Sequence, residues 1–393
     1  MKDFLSILTI LGIFIGSGFV SGREIIVFFT RFGIWSLPCI FLSFFIFWGF
    51  FIFLLNFSEK NGKNSKFSCI INIILSVIFT SAMFASLNNL VIFKYRNVSL
   101  LLIFIVIFLC YIVFKNGMKM LKKLNFILVP FMIIVIFLFT LSIIKLPQFE
   151  TTKFSFYPIL YSIFYCMLNV SNGSLVIIKL GEVLDKKHKA RVAFFSALVL
   201  YVLLLITNIV LLENPDSFVY EMPLPILFKG VKYFIINIVL IISSLTSIFS
   251  LVYTSSVLMR GQRLNEILIF ALSVFLPFII SGLGFRIIIT YLYPLASAFG
   301  IFMLGEMLIN KNHFAVIKLP FKNKNWLFFI FLFKQAYKCI HSACENTKNG
   351  NAGHDNVKFQ NLTAIIDKVS KPGFTWKVFS HNCSNPAHAN IDF

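Results

Sequence analysis

The segment Gly16-Ser17-Gly18-Phe19-Val20-Ser21-Gly22 carries the residue types best suited to binding a small solute. Its three glycines lie within an apolar stretch, where each Gly lowers helix stability by about 1 kcal/mol relative to Ala. Gly also lets the backbone leave the helix without a steric penalty. Within a membrane, non-helical backbone is tolerated only where protein covers it or where it lines a cavity. The segment therefore predicts an interrupted helix, whose freed N–H groups attract a carboxylate and whose freed C=O groups accept a cation or an ammonium group.

A second polar segment, Asn169-Val170-Ser171-Asn172-Gly173-Ser174, separates the two apolar halves of a later stretch. Asn-Gly is a turn dipeptide, so we predict that this segment is also interrupted and that it faces the first break. An alternative for the first segment is a helix-packing seam, because Gly18 and Gly22 have the GxxxG spacing. The candidate substrate-binding residues are Gly16, Ser17, Gly18, Phe19, Asn169, Ser171, Asn172 and Gly173.

Ionisable residues are few within the apolar stretches. Arg23 and Glu24 follow the first glycine-rich segment, and we predict that they form an outer gate, with Glu24 taking part in proton coupling. The alternative is that both side chains simply reach the membrane interface. Lys179 and Glu182 are interpreted as interface anchors, and Glu306 as the partner of a loop cation. No Asp or His occurs within a predicted span, which argues against an intramembrane enzyme, so we predict no enzymatic activity.

Transmembrane helices must position these residues. The chain is 59% hydrophobic and 13% charged, whereas a soluble domain has about 45–50% apolar and about 25% charged residues. Its apolar runs are long enough to cross a bilayer and lack the alternation of barrel strands. The ten predicted spans are roughly Phe4–Phe29, Ile34–Phe57, Phe67–Phe93, Val98–Phe114, Leu124–Ile144, Phe154–Val183, Val192–Leu212, Val231–Val257, Leu264–Ile280 and Ile287–Ile309.

The formal net charge of +20 reflects membrane orientation rather than nucleic-acid binding. Lys and Arg residues lie mainly in alternate loops, such as residues 115–123 and 186–191, and the positive-inside rule places those loops in the cytoplasm. Both chain ends are then predicted to be cytoplasmic. The predicted partners are the lipid bilayer and a small-molecule substrate, without nucleic acid.

The two candidate breaks fall in spans one and six, which occupy corresponding positions in two five-helix halves. This arrangement is typical of inverted-repeat transporters. We predict a transporter domain over residues 1–310, with repeat one at 1–145 and repeat two at 154–310. A basic, interfacial segment follows at 311–334.

Residues 335–393 are polar and Asn-rich, and we predict a disordered cytoplasmic tail there. Cys339, His341 and Cys344 are the candidate metal ligands of this tail, but their spacing fits no regular zinc framework. We therefore predict neither a bound metal nor a cofactor.

The stretch Gly16–Ile25, followed by Phe28-Phe29 and Phe32-Gly33, resembles the first helix of the YkvI-type bacterial membrane proteins. Those proteins belong to the amino acid–polyamine–organocation superfamily with the LeuT-like fold. Leu124-Asn125 with Pro130, and Met222-Pro223, are similar in kind, and the resemblance covers residues 1–310. It implies an all-α membrane protein with ten helices in a five-plus-five inverted repeat, discontinuous helices one and six, and a place in the bacterial cytoplasmic membrane.

The resemblance also implies a candidate sodium site. In sodium-coupled relatives, hydroxyls of span eight join carbonyls of the span-one break around the ion. Ser243, Thr246 and Ser247 share one helical face through their i, i+3, i+4 spacing, and Ile15 and Gly16 lie at the break. The alternative is that these hydroxyls bond to their own helix. The coupling ion is predicted to be Na⁺ or H⁺.

These features predict a secondary active transporter that moves a small solute, amino-acid-like or an amine, by alternating access. One alternative is a transporter-like receptor subunit of the germinant-receptor type. Another is a structural membrane protein whose glycines serve helix packing.

Overall fold

A computed structural model describes residues 2–57, 66–92, 96–144, 156–260 and 265–310. All of them belong to one compact unit. The predicted interfacial segment, the predicted tail and the candidate ligands Cys339, His341 and Cys344 lie outside the described residues.

Every regular element in the described residues is helical. Short 3₁₀ segments cover Thr30–Trp35, Pro215–Val219 and Ser281–Leu283, and π-helical turns cover Ala271–Phe275 and Ile288–Leu292. The α-helices are α1 Lys2–Phe14, α2 Ser17–Val20, α3 Arg23–Phe28, α4 Ser36–Asn56, α5 Lys66–Ile92, α6 Arg96–Asn116, α7 Met118–Leu141, α8 Tyr157–Gly181, α9 Lys186–Leu212, α10 Pro223–Ile226, α11 Gly230–Arg260, α12 Glu266–Phe270, α13 Leu276–Ile280, α14 Phe285–Ile287 and α15 Tyr293–Asn310.

Eight helical stretches of the described residues are long and apolar enough to cross a membrane, and they coincide with predicted spans two, three and five to ten. Span one is divided among α1, α2 and α3, so it forms no single long helix. Span four corresponds to α6. Its stretch Phe104–Asn116 is apolar but shorter than the eight spanning stretches.

The contacts between helices repeat when each span is replaced by the span five positions later, with the count returning from ten to one. α1 of span one packs against α7 of span five and α9 of span seven. Correspondingly, α8 of span six packs against α15 of span ten and α4 of span two. In the same way α7 contacts α11 while α15 contacts α5. The two central pairs, α4 with α9 and α5 with α11, each join a helix to its own counterpart. First-half and second-half helices are therefore interleaved in one core.

The last two spans are less regular than their sequences predict. A π-helical turn over Ala271–Phe275 precedes Pro277, and another over Ile288–Leu292 precedes Pro294. Proline has no N–H and its ring clashes with the carbonyl four residues earlier, so the preceding turn must widen. Hydropathy alone does not register this effect.

Candidate functional site

The first span is broken at Gly16, as predicted. Gly16 is extended, with φ −86° and ψ −179°. The Ile15 amide donates to the Leu11 carbonyl at 2.8 Å, and the ladder resumes where the Val20 amide donates to the Gly16 carbonyl at 3.1 Å. The last four carbonyls of one helix and the first amides of the next have no partner within their helices. Peptide groups of both kinds therefore meet at this buried point.

A second interruption follows at Ser21-Gly22. Gly22 adopts the left-handed conformation, with φ +78°, which favours glycine. The Ser21 hydroxyl donates to the Gly18 carbonyl at 3.0 Å and accepts from the Arg23 amide at 3.2 Å. The Leu224 amide of α10 donates to the Ser21 carbonyl at 2.8 Å. This break is closed by protein groups, which distinguishes it from the break at Gly16.

Met83 of α5 and Ser247 of α11 flank the first break. The Ser17 hydroxyl donates to the Met83 thioether sulfur at 3.2 Å. A Cβ atom on Gly16 would lie 3.0 Å from the Ser247 hydroxyl and 3.3 Å from the Met83 sulfur. Glycine at position 16 thus lets α5 and α11 approach the unwound backbone closely, and a side chain there would need Ser247 and Met83 to shift by a few tenths of an ångström.

Glu24 of α3 is only 4% exposed, although it lies just beyond the second interruption. The Asn169 side-chain amide donates to one Glu24 carboxylate oxygen at 3.3 Å. The other oxygen abuts Gly18, where a Cβ atom would overlap it. The structure thus brings together Gly18 and Asn169, two predicted substrate-binding residues, around a carboxylate that the sequence placed in the gate.

Arg23 points away from Glu24 and towards the loop between α9 and α11. Its guanidinium donates to the Phe218 carbonyl at 2.7 Å and, more weakly, to the Tyr220 carbonyl at 3.5 Å. Residues 215–226 thereby cover the start of α3.

The prediction of a break in span six is wrong, because α8 runs without interruption through Asn172-Gly173. The hydroxyls of Ser171 and Ser174 donate to the carbonyls of Leu168 and Ser171, each at 2.8 Å. Polar side chains bonded to the preceding turn are satisfied without unwinding the helix.

Gly173 serves packing between α8 and the end of α1. A Cβ atom there would lie 2.9 Å from the Phe14 ring, which Phe47 and Phe51 hold in edge-to-face contacts at 5.7 and 5.2 Å. The glycine of the Asn-Gly pair is thus explained by close helix packing and not by a turn.

Three further predicted substrate residues have other contacts or burial. Phe19 is fully buried. Ser171 faces α15, where a Cβ atom on Gly300 would lie 2.8 Å from its hydroxyl. The Asn172 side-chain oxygen is buried and accepts no hydrogen bond from the described residues.

The three hydroxyls of the candidate sodium site differ in their bonding. Ser243 donates to the Leu240 carbonyl at 2.9 Å, and Thr246 donates to the Ser243 carbonyl at 3.0 Å. Ser247 is buried and has no hydrogen-bond partner among the described residues. Of the three, Ser247 is the hydroxyl left free to face the break at Gly16.

Sequence reasoning did not assign Met83, Tyr165, Tyr293 or Asn125 to the site. Asn125 of α7 is fully buried, and neither atom of its amide group has a hydrogen-bond partner in the described part of the chain. Its amide nitrogen lies 2.8 Å from the Cβ position of Gly12. A lone Asn within an apolar run was the available signal, whereas nothing near Met83 or Tyr293 in sequence points to span one.

No protein-family model matches this sequence, and no curated protein matches it. Among solved structures, two mutant forms of the manganese transporter of Eremococcus coleocola are similar to it, each at 15% identity with a TM-score of 0.54. The complex of that transporter with an aromatic bis-isothiourea substituted compound is similar at 14% identity, with a TM-score of 0.53. Each alignment covers 94% of this chain and 92% of the other. The chain is therefore a multi-pass membrane protein with the fold of a membrane transporter.

Proposed function

We propose that the protein is a secondary active transporter of a small solute, amino-acid-like or an amine, that works by alternating access. The observation that carries this proposal is the break at Gly16, where peptide groups without helical partners lie in the protein interior beside a buried carboxylate. A helix-packing protein has no need of such a break, because small residues pack well in straight helices.

The interleaved packing supports a five-plus-five inverted repeat of the LeuT-like kind. Contacts that recur with a shift of five spans are expected when two halves of the same architecture pack with opposite topology. The resemblance of Gly16–Ile25 to the YkvI-type proteins points in the same direction. We place the protein in a bacterial cytoplasmic membrane, with both chain ends in the cytoplasm.

Manganese is the cargo named for the structural neighbour, but we do not extend it to this chain. Mn²⁺ prefers carboxylate, carbonyl and water ligands. The described residues contain no group of three or more His, Cys, Asp or Glu side chains that could hold a metal ion. An organic solute suits the glycines, hydroxyls and single carboxylate around the break better.

Alternating access then requires opening at the two ends of the broken span in turn. Arg23 and residues 215–226 close one end. At the other end, Asp3 of α1 contacts His188 of α9 at 2.8 Å and Arg191 at 3.5 Å. The short α2 lies between these closures, so α1 and α3 can move separately about it.

Uptake into proteoliposomes made from the pure protein tests the proposal. With a labelled panel of amino acids and amines, Gly18→Leu is expected to abolish uptake, because any side chain there displaces the Glu24 carboxylate. Gly49→Leu is the matched control, since a Cβ atom at Gly49 meets nothing within 4 Å.

Membrane levels of both variants should match the unmodified protein. Normal uptake by Gly18→Leu would show that the solute does not pass the break in span one. Accumulation by the unmodified protein would exclude a pure receptor, and absence of any accumulation would contradict transport.

A further inference from the structure

Glu24 is an ionisable group that the described residues leave without a cationic partner. It is 4% exposed, and no salt bridge to it occurs among the described residues. Its neighbour Arg23 is committed to the carbonyls of Phe218 and Tyr220. A buried carboxylate is costly unless a cation or a proton accompanies it. Either a cation or a proton must therefore accompany the Glu24 carboxylate.

Asn169 occupies the place where such a partner would bind. Its amide donates to the Glu24 carboxylate at the long distance of 3.3 Å and also to the Tyr165 carbonyl at 3.0 Å. An ammonium group is a donor with no acceptor, so it can replace this amide at the carboxylate oxygen. The replacement exchanges a hydrogen bond from a neutral donor for an ion pair, in which the donor and the acceptor both carry charge.

Tyr165, whose carbonyl accepts the hydrogen bond from Asn169, belongs to a cluster of aromatic rings. Tyr165 and Tyr293, both nearly fully buried, lie within electrostatic range of Glu24. Phe29, Phe28 and Phe47 pack around Tyr165 with ring centroids 5.0, 5.6 and 5.9 Å away. An organic ammonium ion that binds near this cluster can combine charge pairing with a carboxylate and cation–π attraction to aromatic rings.

We propose that the Glu24 carboxylate binds the ammonium group of the transported solute, so that the preferred cargo is an organic amine with net positive charge. This inference rests on the proposed transport function and narrows its substrate class. An amino acid would also need a site for its carboxylate, and the start of α2 is a weak one. This helix has only four residues, so its dipole attracts a carboxylate little. The freed carbonyls at the end of α1 add further acceptors for a cation.

Two matched sets of probes test this inference on the purified full chain by thermal unfolding. Ethylamine, alanine and propionate share one carbon skeleton, and phenethylamine, phenylalanine and 3-phenylpropionate share another. Within each set the charge changes from cation to zwitterion to anion. We expect at least one of the two amines to raise the unfolding midpoint most, and Glu24→Gln to weaken its binding at least tenfold.

Two further variants keep the test independent of folding. Glu182→Gln, at the end of α8 beside Lys179 at 3.6 Å, is the matched control and should bind the amines normally. Adding Asn169→Asp to Glu24→Gln places a carboxylate on the other side of the same contact, and we expect part of the amine binding to return.

The inference would be overturned if the Glu24→Gln variant still bound either amine as the unmodified protein does. It would also be overturned if the zwitterion or the anion stabilised the protein most, or if neither amine stabilised it. Uptake of the same labelled probes separates this result from the proposed function. Accumulation of a zwitterion or anion would leave transport standing and the amine inference refuted. Glu24-dependent amine binding without accumulation would leave the amine inference standing and contradict transport.

Discussion

At the scale of single residues, the opposite directions of Arg23 and Glu24 are the central feature. Successive residues of a helix point about 100° apart, and α3 begins at Arg23, directly after the left-handed Gly22. Arg23 therefore reaches the covering loop while Glu24 turns inward to Asn169. Two residues that the sequence grouped as one gate have separate contacts, one at the closure and one beside the break.

Arg23→Met is expected to loosen the covering loop. A hydrogen bond from a charged donor contributes about 1.5–3 kcal/mol, and Arg23 donates one to the Phe218 carbonyl at 2.7 Å. Since about 1.4 kcal/mol is a factor of ten, opening of residues 215–226 should become about tenfold more frequent or more. Hydrogen exchange measured by mass spectrometry on peptides from this loop checks the prediction.

Arg31→Met is the matched control for that experiment. Arg31 is exposed and stacks on the rings of Tyr161 and Phe32, at 4.0 and 4.8 Å. It should leave exchange in residues 215–226 unchanged. Equal exchange in the unmodified protein and in Arg23→Met would show that the guanidinium does not hold this closure.

At the scale of elements, the two polar segments behave differently because their side chains have different alternatives. Glycine supplies no side chain to pack, so Met83 of α5 and Ser247 of α11 approach the backbone directly at Gly16. In the same way the Glu24 side chain approaches Gly18, and Leu211 and Leu224 approach Gly22. In α8, Asn169, Ser171 and Ser174 each bond to a carbonyl of the preceding turn and the helix survives. A turn dipeptide in sequence does not reveal which of these outcomes tertiary packing selects.

Ser21→Ala is expected to destabilise the protein through the second interruption. The Ser21 hydroxyl accepts from the Arg23 amide in the buried start of α3. Its loss leaves that amide without a partner, which costs about 1–3 kcal/mol. The thermal unfolding midpoint of the purified protein should fall.

Ser6→Ala is the comparison for Ser21→Ala. The Ser6 hydroxyl is nearly as buried, but it bonds to the Lys2 carbonyl within an intact α1. Its removal strands no backbone donor, so its midpoint should change little. Equal midpoints for the two variants would contradict the capping role of Ser21.

At the scale of the whole molecule, apolar run length was sufficient to predict eight of the ten spans as long apolar helices, because bilayer thickness sets that length. The glycine-rich break was also predictable, since the conformational preference of Gly is local. The neighbours of the break were not. Met83 and Ser247 reach it from two other helices, and only the packing of α5 and α11 around α2 selects them.

That packing also leads to a prediction that links the two halves of the molecule. Four carbonyls at the end of α1 lack helical partners, and the unpartnered Ser247 hydroxyl of α11 faces Gly16 beside them. Oxygen ligands of this kind suit a hard cation. A sodium ion here would join α1 to α11 and, at 100 times its dissociation constant, would stabilise the protein by about 2.7 kcal/mol.

We therefore expect the unfolding midpoint to rise when choline is replaced by Na⁺ at constant ionic strength, and Ser247→Ala to lose this rise. Ser250→Ala is the control on the same helix, because the Ser250 hydroxyl already bonds to the Thr246 carbonyl at 2.9 Å. A midpoint indifferent to Na⁺ in the unmodified protein would reject sodium. Because Glu24 would then remain as the buried ionisable group beside the break, the coupling ion to test next would be the proton.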